Sequence, residues 1–375
     1  MAACICSSFN NDMVMDILAR LPVKTLLRFK SVSKPLLSLI TNPKFISSHL
    51  HQSTRNSSLV FHFSHNEFPV AMLCYTEPTT LHAVHIPSSM KDYSFKPRIH
   101  IKGSCGGLLY MELFFGCCVF HYGLWNPATR QFKKIEEPQQ CINLLSEGFC
   151  HSSKINDYKL VRTGYFLYPA TRRTRYDRRR VDSVVRALVF SWKTDSWRTV
   201  EDGALLGGSF SDPVTVKGDL YWKVSGERNY LANEELVLAF DSSNDVFRRI
   251  ELPGLINQSN PSYTTTSITE FKGSLGLFVF LEYGSNSGFD FWVLNESRTG
   301  GNIRCCWTRF LTVGTLSKIG RPISAWRCKI ILKNLMGENS FFLYDPISRE
   351  IIDVPILSND VYDYVETLAS VDGTK

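Results

Sequence analysis

The sequence lacks any run of about 20 apolar residues that could cross a bilayer as a helix. The nearest stretch, Cys105 to Phe120, is interrupted by Glu112 and by glycine, so no membrane partner is expected. The N-terminus, MAACICSSFNNDMVMDILARLP, has no basic segment ahead of an apolar one and does not read as a secretory signal. It has no C-x-x-C pair, P-loop, G-x-S-x-G elbow or H-E-x-x-H helix. Histidine is absent after His151, so most of the chain cannot supply it to catalysis or to a metal. His62, His65 and Cys74 come nearest to a zinc set, but residues three apart on a strand face opposite ways. No catalytic residue, cofactor or metal is expected, and the chain reads as a non-enzyme. The 11 cysteines are odd in number and include the adjacent pairs Cys117–Cys118 and Cys305–Cys306. Reduced thiols and a cytoplasmic or nuclear location suit that count better than a disulfide framework.

What is present is the material of a large core. Of 375 residues, 44% are apolar and 13% aromatic, which excludes a mainly disordered chain. The net charge of +7 is not spread out. Thr171 to Arg180, TRRTRYDRRR, holds six Arg and one Asp, a local net of +5 that leaves +2 elsewhere. A near-neutral protein with one basic loop lacks the broad basic face of a nucleic-acid binder.

The first fifty residues differ in kind from the rest. Met13, Val14, Ile17, Leu18 and Leu21 recur as on one helix face, behind candidate caps at Asn10, Asn11 and Asp12. Pro22 breaks the pattern, Thr25–Phe29 starts a second apolar turn, and Pro35–Ile40 reads as a third helix ended by Asn42-Pro43. Three short helices bury little surface alone, so such a cluster leans on a partner or a neighbouring domain. Beyond residue 55, segments such as LVFHFS, GGLLYM, VRALVFSW, GDLYWKV and SLGLFVFLEY are rich in aromatic and β-branched residues and bounded by turn formers.

A repeat runs through that β part. LWNPATRQFKKI, VFSWKTDSWRTV, AFDSSNDVFRRI and LYDPISREIIDV share an aromatic anchor, a polar turn and a later bulky residue. The anchors are Trp125, Phe190, Phe240 and Tyr344, and a degenerate member is expected at Leu294–Ser297 with Trp307 as its delayed bulky residue. Glycine-led strands precede several of them, at Gly106-Gly107, Gly218 and Gly273. A period of about fifty with several strands per unit is the mark of kelch-type propeller blades. The longer first interval contains the Arg-rich segment, which reads as a loop insertion at 171–180. The expected fold is α+β and multidomain: a three-helix head at 8–50, a connecting segment with the first strands at 51–100, and an all-β, kelch-like propeller-type domain at 101–370.

NDMVMDILARLPVKTLLRFKSVSKPLLSLITNPKFISSHL resembles the F-box of plant F-box proteins, in the CPR-type and S-locus F-box-like branch with a C-terminal F-box-associated, kelch-like region. LPVKTLLRFKSVSK carries the closest likeness, and WNPATRQFKKI and TDSWRTV look like two blade motifs of that branch. Where the family commonly opens with Leu-Pro, this chain has Phe9-Asn10; where it has Cys and then Trp, Ser31 and Leu36 stand. The resemblance implies a substrate-recognition adaptor of a Skp-cullin-F-box ubiquitin ligase. Its F-box would dock on the Skp-type linker, and through it on cullin and RING subunits, while the β domain captures a protein substrate for ubiquitination.

Phe9, Met13, Ile17, Leu18, Leu21, Pro22, Leu26, Leu27, Val32 and Leu36 are the linker-binding candidates. They are more apolar surface than a three-helix unit covers internally. Arg172, Arg173, Arg175, Arg178, Arg179 and Arg180 are candidates for an acidic substrate through bidentate, charge-assisted contacts. A solvated insertion, a nuclear import signal and an RNA contact remain other readings of that loop. Two rival functions share the architecture: an S-locus F-box protein recognising secreted ribonucleases, and a non-ligase kelch-like scaffold with a vestigial F-box.

Overall fold

The computed structural model describes residues 11–54, 57–62, 71–74, 81–84, 98–115, 119–139, 142–168, 180–205, 207–225, 235–254, 263–283, 286–299, 302–314, 321–326, 329–333, 341–354 and 360–372. The chain divides into two compact units, one of residues 1–137 with 358–375 and one of residues 138–357.

In the first unit the head contains four helices: α1 (Asn11–Ala19), α2 (Val23–Phe29), α3 (Lys34–Ile40) and α4 (Pro43–Ser53). The sequence reading of three helices is corrected here. Asn42-Pro43 does end α3, but it also starts α4: Asn42 Oδ1 accepts from the Lys44 amide at 2.9 Å, and proline suits the first helical turn. One dipeptide serves as stop and start. Ser33 caps α3 in the same manner, accepting from the Leu36 amide at 3.3 Å.

The same unit holds two antiparallel sheets. Sheet 1 contains β1 (Ser58–His62), β2 (Ala71–Cys74) and β3 (Leu81–Val84). Sheet 2 runs β4 (Arg98–Cys105), β5 (Leu108–Phe115), β6 (Val119–Asn126) and β7 (Gln131–Ile135). Val60, Ile99, Ile101, Leu109, Met111, Leu113 and Trp125 form the apolar layer of these sheets.

The second unit contains four sheets in succession. Sheet 3 is β8 (Ile142–Ser152), β9 (Asp157–Tyr168), β10 (Arg180–Ser191) and β11 (Ser196–Val200). Sheet 4 has β12 (Ser209–Phe210) and β13 (Val214–Val216) beside β14 (Asp219–Ser225), then β15 (Glu235–Asp241) and β16 (Val246–Glu251). Sheet 5 is β17 (Tyr263–Phe271), β18 (Ser274–Tyr283), β19 (Asn286–Thr299) and β20 (Asn302–Val313). Sheet 6 is β21 (Arg321–Trp326), β22 (Lys329–Lys333), β23 (Phe341–Tyr344) and β24 (Ile351–Val354). Finally β25 (Asp360–Tyr364) returns to sheet 1 and pairs with β1, Val60 opposite Tyr362. Each sheet is a meander of the blade type, and apolar layers fill the spaces between sheets 3 and 4, 4 and 5, and 5 and 6.

The four repeat anchors occupy one structural position. Trp125, Phe190, Phe240 and Tyr344 lie on the third strand of their sheets, each opposite the bulky residue of the fourth: Phe132, Trp197, Phe247 and Ile351. All four anchors are buried. The turn between them has one recurring chemistry. The residue after the anchor (Asn126, Ser191, Asp241, Asp345) accepts amides of the turn through its side chain. Four residues further on the backbone is left-handed, at Arg130, Asp195, Asp245 and Arg349. A short side-chain acceptor thus replaces the backbone partners that the tight turn cannot offer. The degenerate member also falls in place, with Leu294 opposite Trp307 across a longer β19–β20 hairpin.

Candidate interaction surfaces

The helical head sorts its apolar residues into two sets. Leu18, Val23, Leu26, Ile40 and Phe45 are buried together, and Leu21, Leu27 and Leu36 pack partly buried against them. Met13, Ile17 and Val32 are 55%, 58% and 68% exposed, and Pro22 is exposed too. Of the linker-binding candidates, Leu18 and Leu26 therefore build the head itself, and Phe9 lies outside the described residues. Leu37, 43% exposed on α3, was not among the candidates. Leu36 and Leu37 are adjacent, so a helix must turn one in and one out. The 100° step per residue was the signal that could have found it.

Two contributions to the head core come from far along the chain. Leu368, 3% exposed, and Ala128, from the β6–β7 turn, pack among the helices. The C-terminal segment is held there by Asn126, which is fully buried. Asn126 Nδ2 donates to the carbonyls of Thr367 at 3.1 Å and Ala369 at 2.8 Å, while Oδ1 accepts from the amides of Ala128 and Thr129. The segment also passes so close to the β4–β5 turn that a Cβ on Gly107 would lie 2.4 Å from the Val365 carbonyl. With φ of +79° as well, only glycine fits that position. On the helical side, His49 is buried and its Nε2 lies 2.9 Å from the Leu21 carbonyl, joining α4 to the end of α1.

The Arg-rich segment falls between β9 and β10. Arg172, Arg173, Arg175, Arg178 and Arg179 lie outside the described residues, and Arg180 begins β10, its backbone opposite Tyr168.

Charged side chains of the second unit are engaged in holding sheets together. Lys159 Nζ, nearly buried, lies 2.6 Å from Asp245 Oδ1, and the exposed Arg198 approaches the same carboxylate. Burial pushes the Lys159 ammonium below the usual lysine range. Burial alone would raise the Glu235 carboxyl, but donors outweigh it: Thr266 Oγ1 at 2.6 Å, Lys223 Nζ at 3.1 Å and Ser225 Oγ at 3.1 Å hold it below the usual carboxylate range. Among the described residues no group of three or more His, Cys, Asp or Glu could hold a metal. Of the histidine–cysteine grouping, His62 ends β1, Cys74 ends β2 and His65 lies outside the described residues. No described helix is long and apolar enough to cross a membrane.

Residues 61–346 match the family described as the F-box associated beta propeller domain, and residues 6–48 match the F-box domain. Three proteins of Arabidopsis thaliana illustrate the likeness. The F-box protein At3g10430 is 29% identical over 65% of this chain, which spans 61% of its length. The F-box protein At5g49610 is 27% identical, with 78% of this chain and 76% of the relative covered. For the F-box protein CPR1 the identity is 26%, with 80% and 72% covered.

Proposed function

The chain belongs to the F-box proteins with an F-box associated propeller domain, and from that membership we propose that it is the substrate-recognition adaptor of a Skp-cullin-F-box ubiquitin ligase. The head docks on the Skp-type linker, the linker joins it to cullin and RING subunits, and the β domain captures the protein to be modified. The chain's contribution to ubiquitin transfer is proximity: it holds an acceptor lysine where the ligase can reach it.

The observation that carries this reading is the surplus of apolar surface on a head whose internal core is already filled. Met13 and Ile17 stand one turn apart on α1 and are both more than half exposed. Fully burying side chains of this size against a partner is worth about 1.5–3 kcal/mol each. The docking face we assign is Met13, Ile17, Pro22, Val32 and Leu37, with Leu21, Leu27 and Leu36 supporting it from below.

The double variant Met13→Asp/Ile17→Asp tests the assignment. Each Asp would be buried unpaired in the complex, so linker affinity should fall by about 100-fold or more. The free chain should melt as before, since both positions face water. Leu26→Asp is the contrasting control, expected to unfold the head. Undiminished linker binding by the double variant would refute this face, and a wild-type chain that ignores the linker would favour the scaffold reading.

A further inference from the structure

The last strand of sheet 5 is unlike the last strands of the other sheets. β20 is 12 residues long, whereas β3, β7, β11, β16 and β24 run 4 to 6 residues. Among the described residues it pairs with β19 on one side only and ends the sheet. From Ile303 to Phe310 every side chain except Trp307 is exposed. A long, exposed strand edge offers a row of backbone donors and acceptors to any extended chain, and proteins commonly blunt such edges.

The edge is also selective in chemistry. Between Asn302 and Val313 it carries Arg304 and Arg309 and no acid. The acids of β19 are already engaged: Glu296 with Arg248 of sheet 4, Asp290 with Arg309 and Thr312. Arg304 has no acidic partner among the described residues. A register shift gives Phe291 the partner Leu311 and Trp292 the partner Arg309, leaving Phe310 as the extra residue of a bulge. Phe310 is 55% exposed, and the inner part of its ring packs on the sheet, 5.3 Å from the Phe271 ring and 6.2 Å from that of Phe291. The strand is firmly based, because Trp307 Nε1 donates to the Glu251 carbonyl at 2.8 Å and Glu296 is gripped by Arg248.

We propose that β20 receives an extended, acidic segment of a partner protein, with alternating acidic and apolar residues, as an added strand. Main-chain hydrogen bonds would supply affinity, Arg304 the preference for acids, and Ile303 with the exposed part of Phe310 the apolar contacts. A second copy of this chain fits poorly. Antiparallel self-pairing about Cys306–Trp307 sets Arg304 opposite Arg309 in both halves, and no register offers either arginine an acid, since β20 carries none. The inference deepens the adaptor reading by giving the captured segment a chemistry, and its test involves no linker.

The probes are three synthetic peptides, titrated against the full chain: alternating Glu-Val, alternating Lys-Val, and Glu-Val N-methylated at every second residue. Glu-Val should bind, and its complex should show slowed amide exchange at 303–310. The Lys-Val and N-methylated peptides should bind at least about tenfold more weakly. Arg304→Glu should weaken Glu-Val binding to a similar degree, while the melting of the chain stays unchanged. Equal binding of Glu-Val and Lys-Val, protection located elsewhere, no binding of either peptide, or dimerisation of the chain through β20 would each overturn the proposal.

Discussion

Asn126 shows how much one residue can decide. Its amide group donates twice and accepts twice in a fully buried site, a complement that no other side chain of its size supplies. Asn126→Asp would set a carboxylate against the carbonyls of Thr367 and Ala369. The loss should be about 3 kcal/mol, read as a shift in the denaturant midpoint at constant slope. The sequence motif WNPATRQF located the turn, and the anchor spacing located its bulky partner. The 241-residue reach from Asn126 to Thr367 left no local trace, so half of the residue's role was illegible.

Glu235 supports a prediction on pH. Its carboxyl is held below the usual carboxylate range, because the hydrogen bonds favour the ionised form more than burial disfavours it. The folded state thus binds a proton less readily than the unfolded chain. Its stabilisation is full above the ordinary carboxylate range and is lost as pH falls through the lower folded value. Thr266→Val removes the shortest donor, and should cost about 1 kcal/mol near neutral pH. In a stability profile against pH, wild type and variant should converge as pH falls through the lowered range of the folded carboxyl; a difference that persists undiminished once the group is protonated would contradict the assignment.

Among the elements, the outcome followed what each one needs to be stable. Third and fourth strands of the blades were legible because anchor, turn and bulky residue form a local hairpin of fixed length. The first strands β4, β8, β17 and β21 carry no such repeat, although each turns directly into the strand that follows, and β25 was hidden because its partner β1 lies near the other end of the chain. In the head, periodicity marked α1 to α3, but it could not separate residues that face the internal core from those that face outward. Leu18 and Leu26 were read as surface and are core, because a short helix shows one apolar stripe whether one or two partners cover it. α4 was hidden by a dipeptide with two meanings.

Leu368 makes the C-terminal segment part of the head. It sits among α-helical residues although it belongs to no helix or strand. Leu368→Ala should therefore destabilise by about 2–4 kcal/mol, as for other buried leucines. The damage should appear in the first unit: amides of α1, α2 and α4 should exchange faster, with those of sheets 3 to 6 unchanged. Uniform acceleration through every sheet would show that the segment supports the chain generally rather than the head.

At the scale of the whole molecule, one chain carries two kinds of surface. The helical head carries exposed apolar residues beyond its own core, and the β domain carries the long, exposed strand β20. Family membership was legible in the sequence because the F-box pattern and the blade turns are local signals. The substrate is not written in the same way, since a recognition surface gathers residues from separate strands and follows no period. Direct titration of the purified full chain with a Skp-type linker tests the central claim. The account predicts a one-to-one complex with a dissociation constant of about 1 μM or tighter, abolished by Met13→Asp/Ile17→Asp. No detectable complex between the folded wild-type chain and the linker would contradict it.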